Sequence, residues 1–226
     1  MSNFVVEASQ LGHRYRGGSE DVLEQLDFEI APGEMVGFYG NSGCGKTTLL
    51  LIAGGLLKPS SGSIKVDGVD MFALNPIARA GFRNRKVGFL FQTLELIPYL
   101  TLHQNVMLSK NVTKAEANSL LERLGLRESM SRKPESVSHG QRQRAALARA
   151  IAHQPRIVIA DEPTGNLDEE NSQLVFDVLR EYSQSGGSVL VASHDSNWLS
   201  QVDRQMELGN SNLSKPSAAS TREATP

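Results

Sequence analysis

Residues Gly40-Asn41-Ser42-Gly43-Cys44-Gly45-Lys46-Thr47 satisfy the pattern G-x-x-x-x-G-K-[ST] at every fixed position. Glycines at 40, 43 and 45 let consecutive backbone N–H groups turn inward, forming a concave nest for an anion at the start of a helix. Lys46 is placed to reach the β- and γ-phosphates of a nucleotide, and the Thr47 hydroxyl to ligate Mg²⁺. The context fits. Met35-Val36-Gly37-Phe38-Tyr39 reads as a buried strand entering the loop, and Thr48-Leu49-Leu50-Leu51-Ile52-Ala53 as a helix leaving it. Few folds accept strand, phosphate loop and helix in that order, and the pattern predicts ATP binding through residues 40–48.

At 226 residues the chain is long enough for one substantial domain. Apolar residues make up 39%, an ordinary share for a globular protein, and the net charge of −2 gives no electrostatic footprint for nucleic acid. A single cysteine excludes an internal disulfide. Met1-Ser2-Asn3-Phe4-Val5 lacks a charged segment followed by an apolar run, so no signal peptide is expected. No window approaches the ~20 consecutive apolar residues of a membrane span.

Residues 4–39 read as short strands, Phe4–Val6, Val22-Leu23, Leu26–Ile30 and Met35–Tyr39, broken at Gly17-Gly18 and Pro32-Gly33. Ser63–Gly68 and Val87–Phe91 add two more. From about 101 to 152 the pattern turns helical, with a capping box at Thr113-x-x-Glu116 and an alanine-rich helix from Gln141 to Ala152. Strand and helix alternate again beyond Pro155, with strands at Ile157–Ala160 and Val189–Ala192 and a helix around Leu174–Leu179. This order predicts a mostly parallel sheet with a helical block inserted between its strands. The expected organisation is a single domain over 1–209, with its core in 1–92 and 153–209 and a helical subdomain over about 93–152. The tail 210–226, rich in Ser, Thr, Ala and Pro, is expected to be disordered.

Asp161 and Glu162 end an apolar strand, where a carboxylate lies beside the phosphate loop in such sheets. Asp161 could hold Mg²⁺ and Glu162 could orient or polarise the attacking water. His194 follows the strand Val189–Ala192 and could contact a γ-phosphate and hold the water in line. Gln92 ends the strand Val87–Phe91 at the edge of the helical block, where an amide can sense Mg²⁺ and the γ-phosphate. Alone, each has an ordinary reading as a solvated strand end, a surface histidine or a loop glutamine.

Together with Val137-Ser138-His139-Gly140-Gln141 and Asn166-Leu167-Asp168, these motifs stand in the order found in the ATP-binding subunits of ABC transporters. The chain resembles that family over roughly residues 4–209. The resemblance implies a P-loop NTPase core with an N-terminal antiparallel β subdomain and an inserted α-helical subdomain. It implies that Ser138, His139, Gly140 and Gln141 contact ATP held by the other subunit of a dimer. It also implies that Asp168 lies at the dimer interface and that Tyr15 stacks on adenine, whereas a packed edge-strand tyrosine is the ordinary alternative. One departure stands out: His139 replaces the usual glycine of the signature, putting a bulky titratable side chain at the helix entrance and bearing on turnover.

Gly54-Gly55-Leu56, the segment Phe91–Thr101 and Glu162–Asp168 are similar to the lipoprotein-release and macrolide-exporter group, and to the cell-division ABC ATPase. The resemblance implies hydrolysis of MgATP between two protomers, as a homodimer or a pseudo-symmetric pair, driving a separate membrane permease from the cytoplasmic face. The apolar run Leu94–Leu100 fits either a docking surface for the permease or packing within the helical block. Two alternatives are a cell-division-type regulator of a membrane scaffold and a soluble, DNA-associated ABC ATPase. The latter class usually carries a long coiled-coil or zinc insertion, and only 45 residues separate Gln92 from Ser138.

Overall fold

The computed structural model describes residues 3–18, 20–165 and 167–209. Two sheets form its frame. Strands β1 (Val6–His13), β2 (Leu23–Ile30), β4 (Ser61–Val66) and β5 (Val69–Asp70) make an antiparallel sheet in the order β2-β1-β4-β5. Strands β3 (Met35–Tyr39), β6 (Val87–Leu90), β7 (Ile157–Asp161), β8 (Ser188–Ala192) and β9 (Arg204–Glu207) make a parallel sheet in the order β6-β7-β8-β3-β9. The α/β class and the mostly parallel core expected from the sequence are both observed.

The central strands β7 and β8 are buried at every position, which is why they read as unbroken apolar runs. Alternate side chains leave a strand on opposite faces, and the two faces of this sheet feed two cores. Val36, Phe38, Ile157, Ile159, Leu190 and Ala192 pack with α1 (Lys46–Ala53) and the antiparallel sheet. Met35, Leu90, Val158, Ala160, Val189 and Val191 pack with helices on the far side. Those are α5 (His139–Ile151) and α6 (Glu169–Gln184).

Between β6 and β7 the chain forms α3 (Leu102–Val106), α4 (Lys114–Arg123) and α5, a helical unit inserted in the parallel sheet. Reciprocal capping boxes start all three helices, at Thr101/Gln104, Thr113/Glu116 and Ser138/Gln141. The apolar run from Leu94 divides: Leu94 enters the core at 8% exposure, whereas Tyr99 is 71% exposed.

Several local expectations need correction. The strand expected at Phe4–Val6 begins only at Val6 and runs to His13, its polar residues Ser9 and Gln10 sitting at exposed positions beside the irregular pairing of β1. The two short strands expected at 22–23 and 26–30 are one strand, β2, accommodating Gln25 at a φ of 45°. Helix α2 (Pro76–Lys86) was not foreseen: it buries only Phe82, although Asn75 caps it and Pro76 opens it. Edge strand β9, with Met206 as its buried residue, and α7 (Ser196–Leu199) were also missed. The tail 210–226 and Asn166 lie outside the described residues.

Strand β6 and α5 approach so closely that a Cβ at Gly88 would stand 2.1 Å from the carbonyl oxygen of Ala150. Backbone cannot yield as a flexible side chain can. Gly88→Ala should therefore cost about 1–3 kcal/mol by overpacking, read as a lowered urea midpoint with an unchanged m-value.

Candidate functional site

The phosphate loop joins β3 to α1 at the C-terminal edge of the parallel sheet. Gly45 caps α1 at a φ of 100°, and a Cβ there would meet the carbonyl oxygen of Val22 at 2.8 Å, so glycine is required twice over. No side chain caps α1 and no acid lies in its first turn, which leaves the N-terminal N–H groups available to an anion. Lys46 folds back across the loop, its Nζ donating to the carbonyl oxygens of Gly40 at 2.8 Å and Asn41 at 3.2 Å. Asn41, Ser42, Gly43 and Thr47 are exposed, Cys44 is half-buried and Thr48 is buried. The Thr48 hydroxyl lies 2.9 Å from that of Tyr15, whose ring is 46% exposed and stands edge-on to His13. An aromatic face thus borders the loop.

Thr47 Oγ1 donates to Asp161 Oδ2 at 2.8 Å, tying the loop to the end of β7. Burial pushes the Asp161 carboxyl above its ordinary range and neighbouring Glu162 adds to this, while the Thr47 hydrogen bond and Lys46 oppose it. A buried acid held by a hydroxyl is a pair of hard oxygen donors in need of positive charge. That fits Mg²⁺, which takes one or two protein oxygens and completes its octahedron with phosphate and water. Among the described residues no three or more His, Cys, Asp or Glu converge as a self-sufficient metal site.

Glu162 adopts a φ of 49°, a left-handed conformation that costs a non-glycine residue on the order of 1–3 kcal/mol. The end of β8 holds it there. Glu162 N donates to the carbonyl oxygen of Ala192 at 2.9 Å, and its Oε2 accepts from Ser193 Oγ at 3.3 Å and from His194 N at 3.4 Å. His194 Nδ1 lies 2.8 Å from Glu162 Oε1, so the ring carries its proton there when it donates. His194 itself is 76% exposed and Glu162 only 13%. Lys46, Thr47, Asp161, Glu162 and His194 are thereby linked at neighbouring strand ends of the parallel sheet.

Gln92 stands two residues beyond β6, the strand beside β7, and is exposed. The signature residues form a second cluster. Ser138 Oγ accepts from Gln141 N at 3.2 Å, Gln141 Oε1 accepts from Ser138 N at 3.0 Å, and Gln141 Nε2 donates to Ser129 at 3.0 Å. Gly140 faces Asn171, which donates to Asp168, the cap of α6. The hydrogen bond of Asn171 N holds the Asp168 carboxyl below its ordinary range, with a smaller contribution from Arg144. His139 is half-buried, and its Nδ1 is buried with no partner among the described residues. The bonds of Ser138, Gln141 and Asp168 stay within this cluster rather than reaching the phosphate loop.

Sequence reasoning missed the groups that tie the clusters together. Gln143 is buried and donates to the carbonyl oxygen of Pro163 at 2.6 Å, joining α5 to the Glu162 turn. Ser193 supports Glu162, and Arg149 and Asn105 fasten the chain after Gln92. A polar residue on the apolar face of a helix was the available signal for Gln143; its partner is set by tertiary structure.

Residues 23–165 match the ABC transporter family. The lipoprotein-releasing system ATP-binding protein LolD of Hydrogenovibrio crunogenus is 39% identical over 227 residues, covering 96% of this chain and 99% of that protein. The LolD of Shewanella oneidensis is 36% identical, covering 97% and 100%. Among solved structures, the dimeric bacterial ABC transporter cassette MJ0796 has a TM-score of 0.87 at 30% identity, covering 94% of this chain and 97% of that one. A dimeric post-hydrolysis state of the same cassette bound to ADP and Pi has a TM-score of 0.86. With its phosphate loop, its acidic strand end and its helix-capping signature, the chain belongs to the ABC transporter family as one of its ATP-binding, ATP-hydrolysing members.

Proposed function

We propose that the chain works as a dimer around two ATP molecules, each bound to the phosphate loop of one protomer and the signature helix of the other, and drives a separate membrane permease. The observation that carries the catalytic assignment is the fixing of Glu162, whose carboxylate is aimed from a left-handed turn by Ser193 and His194 beside the Thr47–Asp161 pair. Lys46 leaves the carbonyls of Gly40 and Asn41 for the β- and γ-phosphates, and the uncapped N–H groups of α1 receive the remaining charge. Tyr15 packs on the adenine. Thr47 and Asp161 would hold Mg²⁺, with Gln92 joining them from the loop after β6, and the metal would offset phosphate charge. Glu162 orients the attacking water and accepts its proton, and His194 keeps the carboxylate in line.

The partner's Ser138 can contribute because its capping role uses only an oxygen lone pair and leaves its O–H as a donor. Gly140 and the first turn of α5 offer further N–H groups beside it, with no acid in that turn to repel a phosphate. His139 lines the same entrance, and Gln141 braces it through Ser129. Asp168 caps α6 next to Gly140 and so sits at the same face of the protomer, suited to the dimer contact.

Exposed Tyr99 and Leu108 on the helical unit, with Ile77 at the start of α2, offer apolar surface for the permease. Among the described residues no helix is long and apolar enough to cross a membrane. This reading makes the chain a peripheral subunit of the permease, on the cytoplasmic face. Its similarity to two LolD proteins favours a lipoprotein-release type of system, in which ATP-driven motion is relayed by the permease.

Glu162→Gln should bind MgATP with near-normal affinity, lower kcat by about 10²–10⁴-fold, and accumulate an ATP-bound dimer by size-exclusion chromatography. Wild-type turnover in that variant would remove Glu162 from the mechanism. A composite site is tested by mixing two inactive variants: Lys46→Ala with Ser138→Arg puts both lesions in one site of a heterodimer and leaves the other intact. Activity should return on mixing, and a fully active Ser138→Arg protein would sink the composite site.

Asp161 supplies a test by stability. Its folded pKa is raised, so the ionised carboxylate costs stability at neutral pH, and the cost fades as pH falls through the carboxylate range. Without nucleotide or metal, Asp161→Asn should therefore melt above wild type at pH 7.5, the gap closing near pH ~4. Each 1 kcal/mol would appear as about 2–4 °C in a chain of this size. MgATP should raise the melting temperature of wild type and not of the variant.

A further inference from the structure

The chain between β6 and α3 is fastened to the helical unit from Leu94 onward. Leu94 and Glu95 are consecutive non-glycine residues in the left-handed region, at φ of 36° and 47°. Such a pair persists only where fixed contacts over-determine it. Arg149, in the C-terminal part of α5, supplies them: Nη1 donates to the carbonyl oxygen of Glu95 at 2.6 Å and Nη2 to that of Leu94 at 2.9 Å. A planar guanidinium can serve two adjacent carbonyls at once, and an ammonium does so far less well. Leu94 also sinks its side chain into the core that α5 lines. Beyond it, Asn105 is fully buried in α3; its Oδ1 accepts from Ile97 N at 2.7 Å, and its Nδ2 donates to the carbonyl oxygens of Ile97 at 3.1 Å and Thr101 at 3.0 Å. Ser109 Oγ closes the frame by donating to the carbonyl oxygen of Arg149 at 2.8 Å. Residues 94–101 are thus part of the helical unit, and Phe91-Gln92-Thr93 is the short link to the parallel sheet.

We propose that Arg149 is a positioning residue for ATP hydrolysis: it locks the left-handed turn at Leu94–Glu95 to the signature helix, so that the placement of α5 sets the placement of Gln92. The same helix begins at Ser138, about 16 Å away along its axis at 1.5 Å per residue. Engagement of its first turn by a partner's nucleotide is then conveyed along one rigid element to the residue facing the chain's own nucleotide. Arg149 touches neither nucleotide. The proposal rests on the reading of Gln92 as the sensor of Mg²⁺ and γ-phosphate.

The test is steady-state ATPase kinetics and thermal melting of the full chain in a double-mutant cycle. Arg149→Lys should lower kcat at least about ten-fold, as expected for a misplaced catalytic group, with KM for MgATP within about three-fold and the protein still folded. Arg149→Gln, which retains an amide donor, is the second variant should lysine not be tolerated, and the same values are expected. In a Gln92→Ala background the Arg149 substitution should cost less than about two-fold, because its route of action has already been removed. Glu95→Gly, which accepts a positive φ without a Cβ penalty, should restore most of the kcat lost in Arg149→Lys. A wild-type kcat in both Arg149 variants, or an equal loss with and without Gln92, overturns the proposal. Wild-type turnover in Gln92→Ala alone overturns the sensor reading first and the proposal with it, and that single variant tells the two failures apart.

Discussion

One hydrogen bond, from the Thr47 hydroxyl to the buried carboxylate of Asp161, closes the phosphate loop against the centre of the parallel sheet. The two residues are 114 apart in the chain, and the bond forms only because α1 and β7 are packed against each other through the core shared with the antiparallel sheet. Removing a carboxylate from water is unfavourable, and here the Thr47 bond and Lys46 offset that cost incompletely. The site is left in deficit of positive charge at the place where a magnesium nucleotide would bring it. A protein selected for stability alone would have no reason to leave an acid there.

Helix α5 is the second organising element. Its first residue follows the capping serine of the signature, Gln143 reaches the Glu162 turn, the carbonyl of Ala150 abuts Gly88 in β6, and Arg149 grips the turn after Gln92. The bonds of Gln143 and Arg149 are short, directional contacts to backbone and the approach to Gly88 is a steric one, so the helix cannot shift without disturbing at least one of them. A single rigid helix therefore bears on the neighbourhood of all three strand ends of the proposed site, β6, β7 and, through Glu162, β8. Interiors packed to this density switch between discrete arrangements rather than deform continuously.

The positive φ of Glu162 and those of Leu94 and Glu95 occupy comparable roles. None of the three is glycine, and each is held by bonds from a separate element: the end of β8 for Glu162, and α5 for the other two. Strain of this kind survives where neighbouring structure fixes it, and here it aims a carboxylate in one case and a connecting segment in the other.

Motifs with a local physical cause were legible in the amino-acid sequence. The phosphate loop follows from glycines and a lysine at fixed spacing, the buried strands from unbroken apolar runs at 157–160 and 189–192, and the helix start at Thr113 from a cap paired three residues on; the equivalent cap at Ser138, ahead of the helix expected from Gln141, was not read. Helix α2 and edge strand β9 were not, because each buries a single residue and so shows no run of apolar core positions. The run from Leu94 could not be divided into core and surface, since exposure depends on what packs above it. Nor does a list of residues say that Arg149 holds Leu94 and Glu95, that Gln143 finds Pro163, or that Ser193 and His194 both take hold of Glu162. Capping, turn and phosphate-loop chemistry act within a few residues, so sequence alone determined them. Bonds across 20 to 114 positions exist only once the sheets and helices have closed, and those the tertiary structure decided.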